Sequence, residues 1–497
     1  MLGASTSGYF SWTSLPAEIR LMILEAITQQ KHPGWASCAS VCKEWQLFIE
    51  KQNFCQLKLQ VPCLDDFESV VGRSKRRKRL IQHIWLDVEL PEYSCHLCKR
   101  IESISWSDRN SSIISNGIWK LFRILSTWES GPELERRDLT LELNAHSPSD
   151  SKHWFKNCYF TSDNKDNEDA ASNCSSWHDT QHGWVDGQQI TAPPCSAVLR
   201  LFGSIDLHFK EDLPRVDIAT GFVVRRQLRR WLQPSSLLLL LKKLPGLERM
   251  IYEPWRLWER DWRVLNDQHF LQLVQNHLPQ SLKRVSVFED FSESLARIFP
   301  TGQLMPWQPQ VEFSRVVDPR IAAAFAARSV ELQQLSVAYM VNAEDFFGHA
   351  ACNSSWTWHH LTSLALTSQL LRDTTQSRKG IDDLLYVAGI TARRMPKLQA
   401  FVLWNGMKGE ACAFIYHRDG GRASITWRGT WDMQLSPRVV KAWQYVATEH
   451  HLCGALQIGK QRVHSVIESH GDAIHCLGLP CPIVAPASLW QIRREGG

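Results

Sequence analysis

Short strand-like segments built around spaced leucines recur along this 497-residue chain, and they restrict its fold more than any other feature. Their shared form is Leu-x-x-Leu-x-Leu or a relaxed version of it, with apolar side chains alternating over a few positions. The segments occupy residues 56–59, 84–88, 139–143, 205–209, 247–251, 282–287, 332–337, 361–366 and 398–403. We expect these strands to line up into one curved sheet, each unit burying its apolar face against its neighbours.

The stretches between these strands have helical character, for example residues 265–277, 321–331 and 379–395. A strand of this form followed by a helix is typical of a leucine-rich repeat, although the spacing here is irregular and longer than the usual ~20–29 residues. The predicted fold class is α/β: a small N-terminal helical module followed by an irregular leucine-rich-repeat-like strand–helix solenoid. A non-repeating α/β domain with several leucine-rich strands is the alternative.

The chain divides into three predicted parts. Residues 11–55 form the helical module, and residues 56–450 form the solenoid, which ends in a strand over 423–427 and a helix over 438–450. Residues 451–497 are expected to form an irregular C-terminal cap. Residues 161–194 are rich in Asp, Asn, Ser, Gln and Gly, and this composition favours an exposed polar loop.

The N-terminal module contains an ordered set of apolar positions. Its first helix is predicted to begin near Pro16, because a proline at the first helical position loses no hydrogen bond. Ile19, Ile23 and Ile27 then recur every four residues and mark an apolar stripe. About forty residues cannot bury such side chains alone, since a domain this small leaves too much surface exposed. The module therefore needs a partner or the rest of the chain.

Three short sequences in this module resemble an F-box, the helical module that binds the Skp1 adaptor of cullin-based ubiquitin ligases. They are Leu15-Pro16-Ala17-Glu18-Ile19, Ile23-Leu24 and Val41-Cys42-Lys43-Glu44-Trp45. The resemblance implies a Skp1-facing surface formed or supported by Leu15, Pro16, Ile19, Ile23, Leu24, Val41, Cys42 and Trp45. The middle, residues 29–35, departs from the leucine-rich turn that many F-boxes carry. An ordinary helical pair docked on the body is the alternative.

The body also resembles fungal F-box proteins that have a long, poorly characterised C-terminal region. The stretches that carry this likeness are residues 82–86, 89–93, 141–150 and 154–157. The resemblance implies no enzymatic activity and names no substrate.

Bulk properties exclude several other classes of protein. The net charge is +5, from 56 basic and 51 acidic residues, which is too balanced to require nucleic acid. No apolar run approaches the ~18 residues that span a bilayer. The N-terminus lacks the pattern of a secretory signal, so the 14 cysteines are interpreted as reduced thiols in a cytoplasmic or nuclear protein.

Two motifs leave more than one interpretation open. Cys95 and Cys98 have the spacing of half a zinc site, but Cys158, Cys174, His178, His182 and Cys195 offer no clean second pair. An unpaired thiol pair is therefore the preferred interpretation, with zinc or redox activity as alternatives, and no metal or cofactor is assigned. The basic cluster at residues 73–79 fits a nuclear localisation signal or a phosphate-binding patch, or a solvated helix end.

The functional prediction is a substrate-recognition subunit of a Skp1–cullin–F-box ubiquitin ligase, which recruits an unidentified protein target. No nucleotide-binding loop, nucleophile elbow or metalloprotease helix is present, so the chain is predicted not to be an enzyme and no residue is assigned as catalytic. The target is expected on the concave strand face or at the loops along its rim. The alternatives are a Skp1-binding protein outside any ligase and a free solenoid scaffold without Skp1. A nucleic-acid binder is a more distant alternative.

Overall fold

The computed structural model describes residues 12–30, 34–128, 138–160, 177–299, 315–419, 421–449 and 456–496. Its strands are β1 Gln56–Leu59, β2 His83–Glu89, β3 Leu139–His146, β4 Trp184–Val185, β5 Gln188–Gln189, β6 Ser204–Ile205, β7 Ala219–Val224, β8 Trp231–Leu232, β9 Arg249–Tyr252, β10 Arg284–Phe288, β11 Gln334–Ala338, β12 Ser363–Thr367, β13 Ala400–Met407, β14 Glu410–Asp419, β15 Arg422–Gly429 and β16 Gln457–Arg462.

The α-helices follow the same chain order. They are α1 Ala17–Gln30, α2 Lys43–Cys55, α3 Leu64–Val71, α4 Lys75–Leu80, α5 Ile104–Ser126, α6 Cys195–Leu201, α7 Pro234–Leu241, α8 Arg260–Asn276, α9 Glu293–Ala296, α10 Pro319–Ser329, α11 Ala343–Cys352, α12 Ser377–Ala392, α13 Pro437–Glu449, α14 His470–Leu477 and α15 Pro486–Glu495. No helix in these described ranges is long and apolar enough to cross a bilayer.

One large sheet organises the molecule. It contains twelve strands in the order β1-β2-β3-β7-β9-β10-β11-β12-β13-β14-β15-β16. The strands from β1 to β13 run parallel, β14 is antiparallel to both of its neighbours, and β16 is parallel to β15. The architecture is therefore mixed α/β with a mostly parallel sheet, and neighbouring strands in the sheet follow one another along the chain.

A row of apolar side chains crosses the sheet and forms the centre of the main core. In register, it contains Leu57, Ile84, Leu141, Phe222, Met250, Val285, Leu335, Leu364, Phe401, Tyr416 and Ile425. Since side chains alternate between the two faces of a strand, this row shares one face, and it packs in the same core as α5, α7, α8 and α10 to α13. The spaced leucines thus specify which face of each strand meets the helices.

Local signals explain where the connecting helices begin. Pro319 stands at the first position of α10, where its missing N–H costs nothing. The side chain of Asp318 precedes it and accepts a hydrogen bond from the backbone N–H of Arg320 (2.9 Å). The helices predicted over 265–277, 321–331, 379–395 and 438–450 are confirmed as α8, α10, α12 and α13, with ends shifted by a few residues.

The strand predictions are confirmed except at one segment. Residues 205–209 contribute only Ile205 to a two-residue strand, β6, which pairs with β8 outside the main sheet. The sequence pattern missed β7 and β14, because buried small and aromatic residues replace the spaced leucines there. The predicted domain boundaries remain predictions, and residues 161–176 of the predicted polar loop lie outside the described residues.

Over residues 456–496 the C-terminal cap has regular secondary structure, so the expectation of an irregular cap is wrong there. It contains β16, α14 and α15. Ala473 and Leu477 of α14 share a second core with Val402 and Trp404, which point away from the helix layer. The C-terminal helices therefore cover the opposite face of the sheet over β10 to β14.

Candidate partner-binding surface and metal-ligand cluster

The structure places the eight predicted Skp1-facing residues on α1 and α2 and directly before each of these helices. Pro16, Ile19, Val41 and Cys42 are exposed, Leu15, Ile23 and Trp45 are half-buried, and Leu24 is buried. Pro16 lies directly before α1, and Cys42 directly before α2. Most of the predicted surface is thus accessible, whereas Leu24 supports it from beneath.

Three further apolar side chains extend this surface. Leu21, Met22 and Leu47 are exposed, and Met22 keeps 63% of its area accessible. Residues three and four apart share one face of a helix, so Ile19, Met22 and Ile23 form one apolar stripe. Five of the 18 large apolar side chains left exposed in the described part of the chain lie between residues 19 and 47. Such a concentration marks an interaction surface more than the scattered apolar residues normal elsewhere.

A polar clamp holds the beginning of the module in place. Trp12 packs against Trp45 with ring centroids 5.1 Å apart, and its indole Nε1 donates a hydrogen bond to Glu44 (2.9 Å). The Nε of Arg20 donates to the same carboxylate (3.0 Å). The Trp12 hydrogen bond, with the Arg20 charge, lowers the pKa of Glu44. The clamp ties α1 to α2, so the two helices present their apolar residues together.

The basic cluster joins the module to the body. Glu50 of α2 is buried and forms ion pairs with Arg76 and Arg77 of α4. Ser74 caps α4 by accepting a hydrogen bond from the Arg77 backbone N–H (3.2 Å). At least these two arginines therefore have a structural role, which favours the helix-end interpretation of residues 73–79.

The face of the sheet opposite the helices is only partly free. Over β10 to β14 it is covered by α14 and α15, so this part of the expected strand face is not open to a target. Over β1 to β9, a groove of about 390 Å³ remains beside the sheet. Its floor is polar: Glu142 pairs with His83 (3.0 Å) and Arg225 (2.5 Å).

A deeper cavity lies where the parallel strands end. It measures about 500 Å³, and its walls include Trp231, Trp255, Trp258, Trp262 and Arg256. These residues follow the carboxyl ends of β7 and β9, the edge where open α/β sheets commonly bind ligands. The segments after β7 and β9 therefore place four Trp side chains and Arg256 at the rim where a target was expected.

A buried ionic network fixes the C-terminal helices to the same edge. Arg226 donates to Asp290 and to Glu495 of α15 (2.7 Å to Glu495). His470 of α14 donates from Nε2 to the other Asp290 oxygen (2.7 Å). Burial alone would raise the pKa of Asp290, but the charge of Arg226 and the His470 hydrogen bond outweigh it and lower the pKa. The network is paired throughout, as buried charges require.

Four potential metal ligands meet beside β2 and β3. Cys95, Cys98, His153 and His182 place one ligand atom each within 4.8 Å of the others. Cys95, Cys98 and His182 were candidates from the sequence, whereas His153 was missed. The sequence criterion was a closely spaced second pair, but the two histidines are 29 positions apart and only the tertiary structure brings them together. Of the other candidates, Cys158, His178 and Cys195 are not in the cluster, and Cys174 lies outside the described residues.

Comparison with known protein families gives one partial match. A family model described as a family of unknown function, DUF6546, matches residues 277–485. This range covers β10 to β16 and α14, but neither the N-terminal module nor the Cys–His cluster. No curated protein matches the chain.

Proposed function

We propose that this protein is the substrate-recognition subunit of a Skp1–cullin–F-box ubiquitin ligase and recruits an unidentified protein for ubiquitination. The observation that carries the proposal is the apolar surface of α1 and α2. Ile19, Met22 and Val41 stand exposed there, in a module whose sequence resembles an F-box. A soluble partner that covers this surface would remove apolar area from water, which is the main driving force of association.

The attachment of the module to the body suits a receptor. A ligase subunit must hold its target at a defined distance from the conjugating enzyme, because it acts by raising effective concentration. Glu50 of α2 forms ion pairs with Arg76 and Arg77 of the body. In addition, β1 begins at the residue after the end of α2, so no flexible linker separates the module from the sheet.

We further propose that the body is a degenerate leucine-rich-repeat-like solenoid. Nine parallel strands follow chain order in the sheet, and strand-to-helix units alternate along most of it. This order supports a solenoid in which each strand–helix unit stacks on the next and buries its apolar face against its neighbours.

The target site belongs at the carboxyl rim of the strands. The C-terminal helices cover part of the strand face, whereas the rim offers the cavity lined by Trp231, Trp255 and Trp258 beside Arg256. Tryptophan and arginine dominate binding energy at protein interfaces. The protein itself then needs no catalytic residue, since the other subunits supply the chemistry.

Binding to purified Skp1 tests the proposal. The double variant Ile19→Glu/Met22→Glu places two charges on the exposed stripe of α1 and is expected to weaken Skp1 binding by about 100-fold or more, since each buried apolar anchor contributes roughly 2 kcal/mol. The Leu15→Ala/Pro16→Ala double variant is expected to lose binding as well. Calorimetry or surface plasmon resonance with the full chain measures the effect.

The control is Val466→Glu, which changes an apolar side chain that is also exposed but is remote in sequence from the module. It is expected to bind Skp1 like the unaltered chain, and circular dichroism checks that all variants are folded. Absence of Skp1 binding by the unaltered chain would overturn the proposal. Binding of Skp1 without recruitment of a cullin would support the alternative of a Skp1 partner outside any ligase.

A further inference from the structure

The four-residue cluster draws its members from three separate segments of the chain. Cys95 and Cys98 lie at a 3-10 turn, Cys95–Leu97, that follows β2. His153 lies in the turns that follow β3, and His182 ends the 3-10 helix Thr180–His182. Cys98 and His182 are buried, and Cys95 and His153 are half-buried. A grouping of two thiols and two imidazoles from separate segments calls for a physical explanation.

The two distances from the His182 Nε2 atom to the cysteine sulfurs are close to those around a tetrahedral metal ion. The Nε2 atom of His182 lies 3.3 Å from the Cys95 Sγ and 3.5 Å from the Cys98 Sγ. With bonds of about 2.3 Å to sulfur and 2.0–2.1 Å to nitrogen, tetrahedral zinc separates these ligand atoms by about 3.6 Å. The His153 and His182 rings are also adjacent, with centroids 4.8 Å apart. One ion at the centre could thus reach all four residues after small side-chain adjustments.

The surroundings orient the ligands as they do at metal sites. The other nitrogen of His182, Nδ1, donates to the Asp179 carboxylate (2.8 Å), which leaves the Nε2 lone pair directed at the two sulfurs. A carboxylate behind a ligating histidine fixes its ring and raises its basicity. Lys156 pairs with the same carboxylate (2.8 Å), and the Gln181 amide donates to the Cys95 sulfur (3.3 Å).

Thiol hydrogen bonds alone do not account for this arrangement. The Nε2 atom of His182 has a single lone pair, and two sulfurs approach it at hydrogen-bond distance. One thiol can use that lone pair, whereas a metal ion accepts electron pairs from both sulfurs and from the imidazole at once. The cysteines are free thiols, not a disulfide.

We infer that Cys95, Cys98, His153 and His182 form a Cys₂His₂ site for one structural Zn²⁺ ion. Two thiolates and two neutral imidazoles balance the 2+ charge, and a tetrahedral set of two sulfurs and two nitrogens is typical of zinc. All four positions come from the protein, which characterises a structural rather than a catalytic site. The ion would join the turn after β2, the turns after β3 and the segment around β4 and β5.

At this location a metal ion would stabilise a segment that does not pair with the main sheet. The segment from Trp177 to Gln189 contributes only the two short strands β4 and β5, which pair with each other and not with the main sheet. Around it, Trp154, Phe155 and Cys98 belong to a small satellite core separate from the main one. Metal binding supplies folding free energy where an apolar core is small.

Metal analysis of the purified full-length chain tests the inference. The unaltered protein, expressed with zinc in the medium, is expected to contain about one zinc per chain. Cys95→Ser, His153→Ala and His182→Ala are expected to lose most of it. After removal of zinc, added Co²⁺ is expected to give the visible and near-ultraviolet bands of tetrahedral cobalt with thiolate ligands, and the three variants are expected not to give them.

The matched control is Cys158→Ser, which alters a cysteine of the same satellite core outside the ligand cluster. Burial raises the pKa of the Cys158 thiol to about 12, so it is a poor ligand. This variant is expected to keep its zinc. A second measurement uses the unaltered chain: a chelator should lower Tm, and Zn²⁺ but not Mg²⁺ should restore it.

The inference is overturned if the unaltered chain neither contains zinc nor takes up Zn²⁺ or Co²⁺. It is equally overturned if the ligand variants keep as much zinc as Cys158→Ser. Neither result depends on Skp1, so this test and the test of the receptor proposal are independent.

Discussion

At the scale of single residues, Asp290 links the sheet to the C-terminal helices through a buried ionic network. It is fully buried at the end of β10 and accepts from Arg226 and from His470. Removing one partner of a buried ion pair leaves the other charge without compensation, and this costs more than the pair contributes.

Asp290→Asn is therefore expected to lower the free energy of unfolding by about 3 kcal/mol. Urea unfolding at neutral pH measures the change. Glu92→Gln removes an ion pair with Lys152 in which both partners are exposed, and it is expected to cost less than about 1 kcal/mol. Equal effects of the two substitutions would contradict the role of Asp290.

The ionisation of Asp290 is also expected to make the free energy of unfolding depend on pH. Because the pKa of Asp290 is lowered in the folded protein, the unfolded chain binds more protons in the acid range. The stabilisation is complete above the unfolded pKa of about 3.9 and is lost as the pH falls through the folded value. The difference in stability between the unaltered chain and Asp290→Asn is expected to shrink below about pH 4. A difference in stability that stays constant below about pH 4 would argue against the ion pair as its source.

At the scale of elements, close contact between α14 and the sheet depends on a small residue. Gly406 of β13 lies beneath Ala473 of α14, and a Cβ atom on Gly406 would stand 2.4 Å from the Ala473 Cβ. Neither atom belongs to a flexible side chain, so the helix itself would have to move away from the strand.

Gly406→Ala is expected to destabilise the protein by about 1–3 kcal/mol, the usual cost of overpacking a core. Thermal unfolding followed by circular dichroism measures it. Gly348→Ala in α11 is the matched control, because no atom lies within 4 Å of the added Cβ and alanine favours helices over glycine by about 1 kcal/mol. A loss of stability in the control similar to that of Gly406→Ala would refute the steric explanation.

At the scale of the whole molecule, the two ends of the chain relate differently to the sheet. The N-terminal helix α1 buries only Leu24 and leaves its apolar stripe exposed. The C-terminal helices share a core with β10 to β14 and place Glu495 beside Arg226. The N-terminal end therefore leaves apolar surface accessible, whereas the C-terminal end covers one face of the sheet.

Truncation from each end is expected to separate these roles. Deletion of residues 1–40 should shift Tm by no more than about 3 °C and abolish Skp1 binding. Deletion of residues 463–497 should prevent soluble folding, because it exposes Phe288, Val402 and Trp404. Gel filtration and thermal melting measure both. Unfolding of the body on N-terminal deletion would instead support a scaffold in which α1 and α2 only cap the sheet.

Local sequence patterns specify the secondary structure of most of the described chain. Leucine spacing predicted eight of the nine strand segments and the face on which they are buried, because alternation along a strand is a local property. It failed at β7 and β14, where Gly221, Phe222 and Phe414 form buried strands without spaced leucines.

Contacts between residues that are distant in sequence depend on how the elements pack in three dimensions. His153 and His182 join Cys95 and Cys98 although 55 positions separate Cys98 from His153 and 29 separate His153 from His182, and no local pattern records such a contact. The same holds for the Arg226 pair with Glu495, which closes the C-terminal helices over the sheet. Packing of whole elements sets these distances, so they become visible only when the elements are assembled.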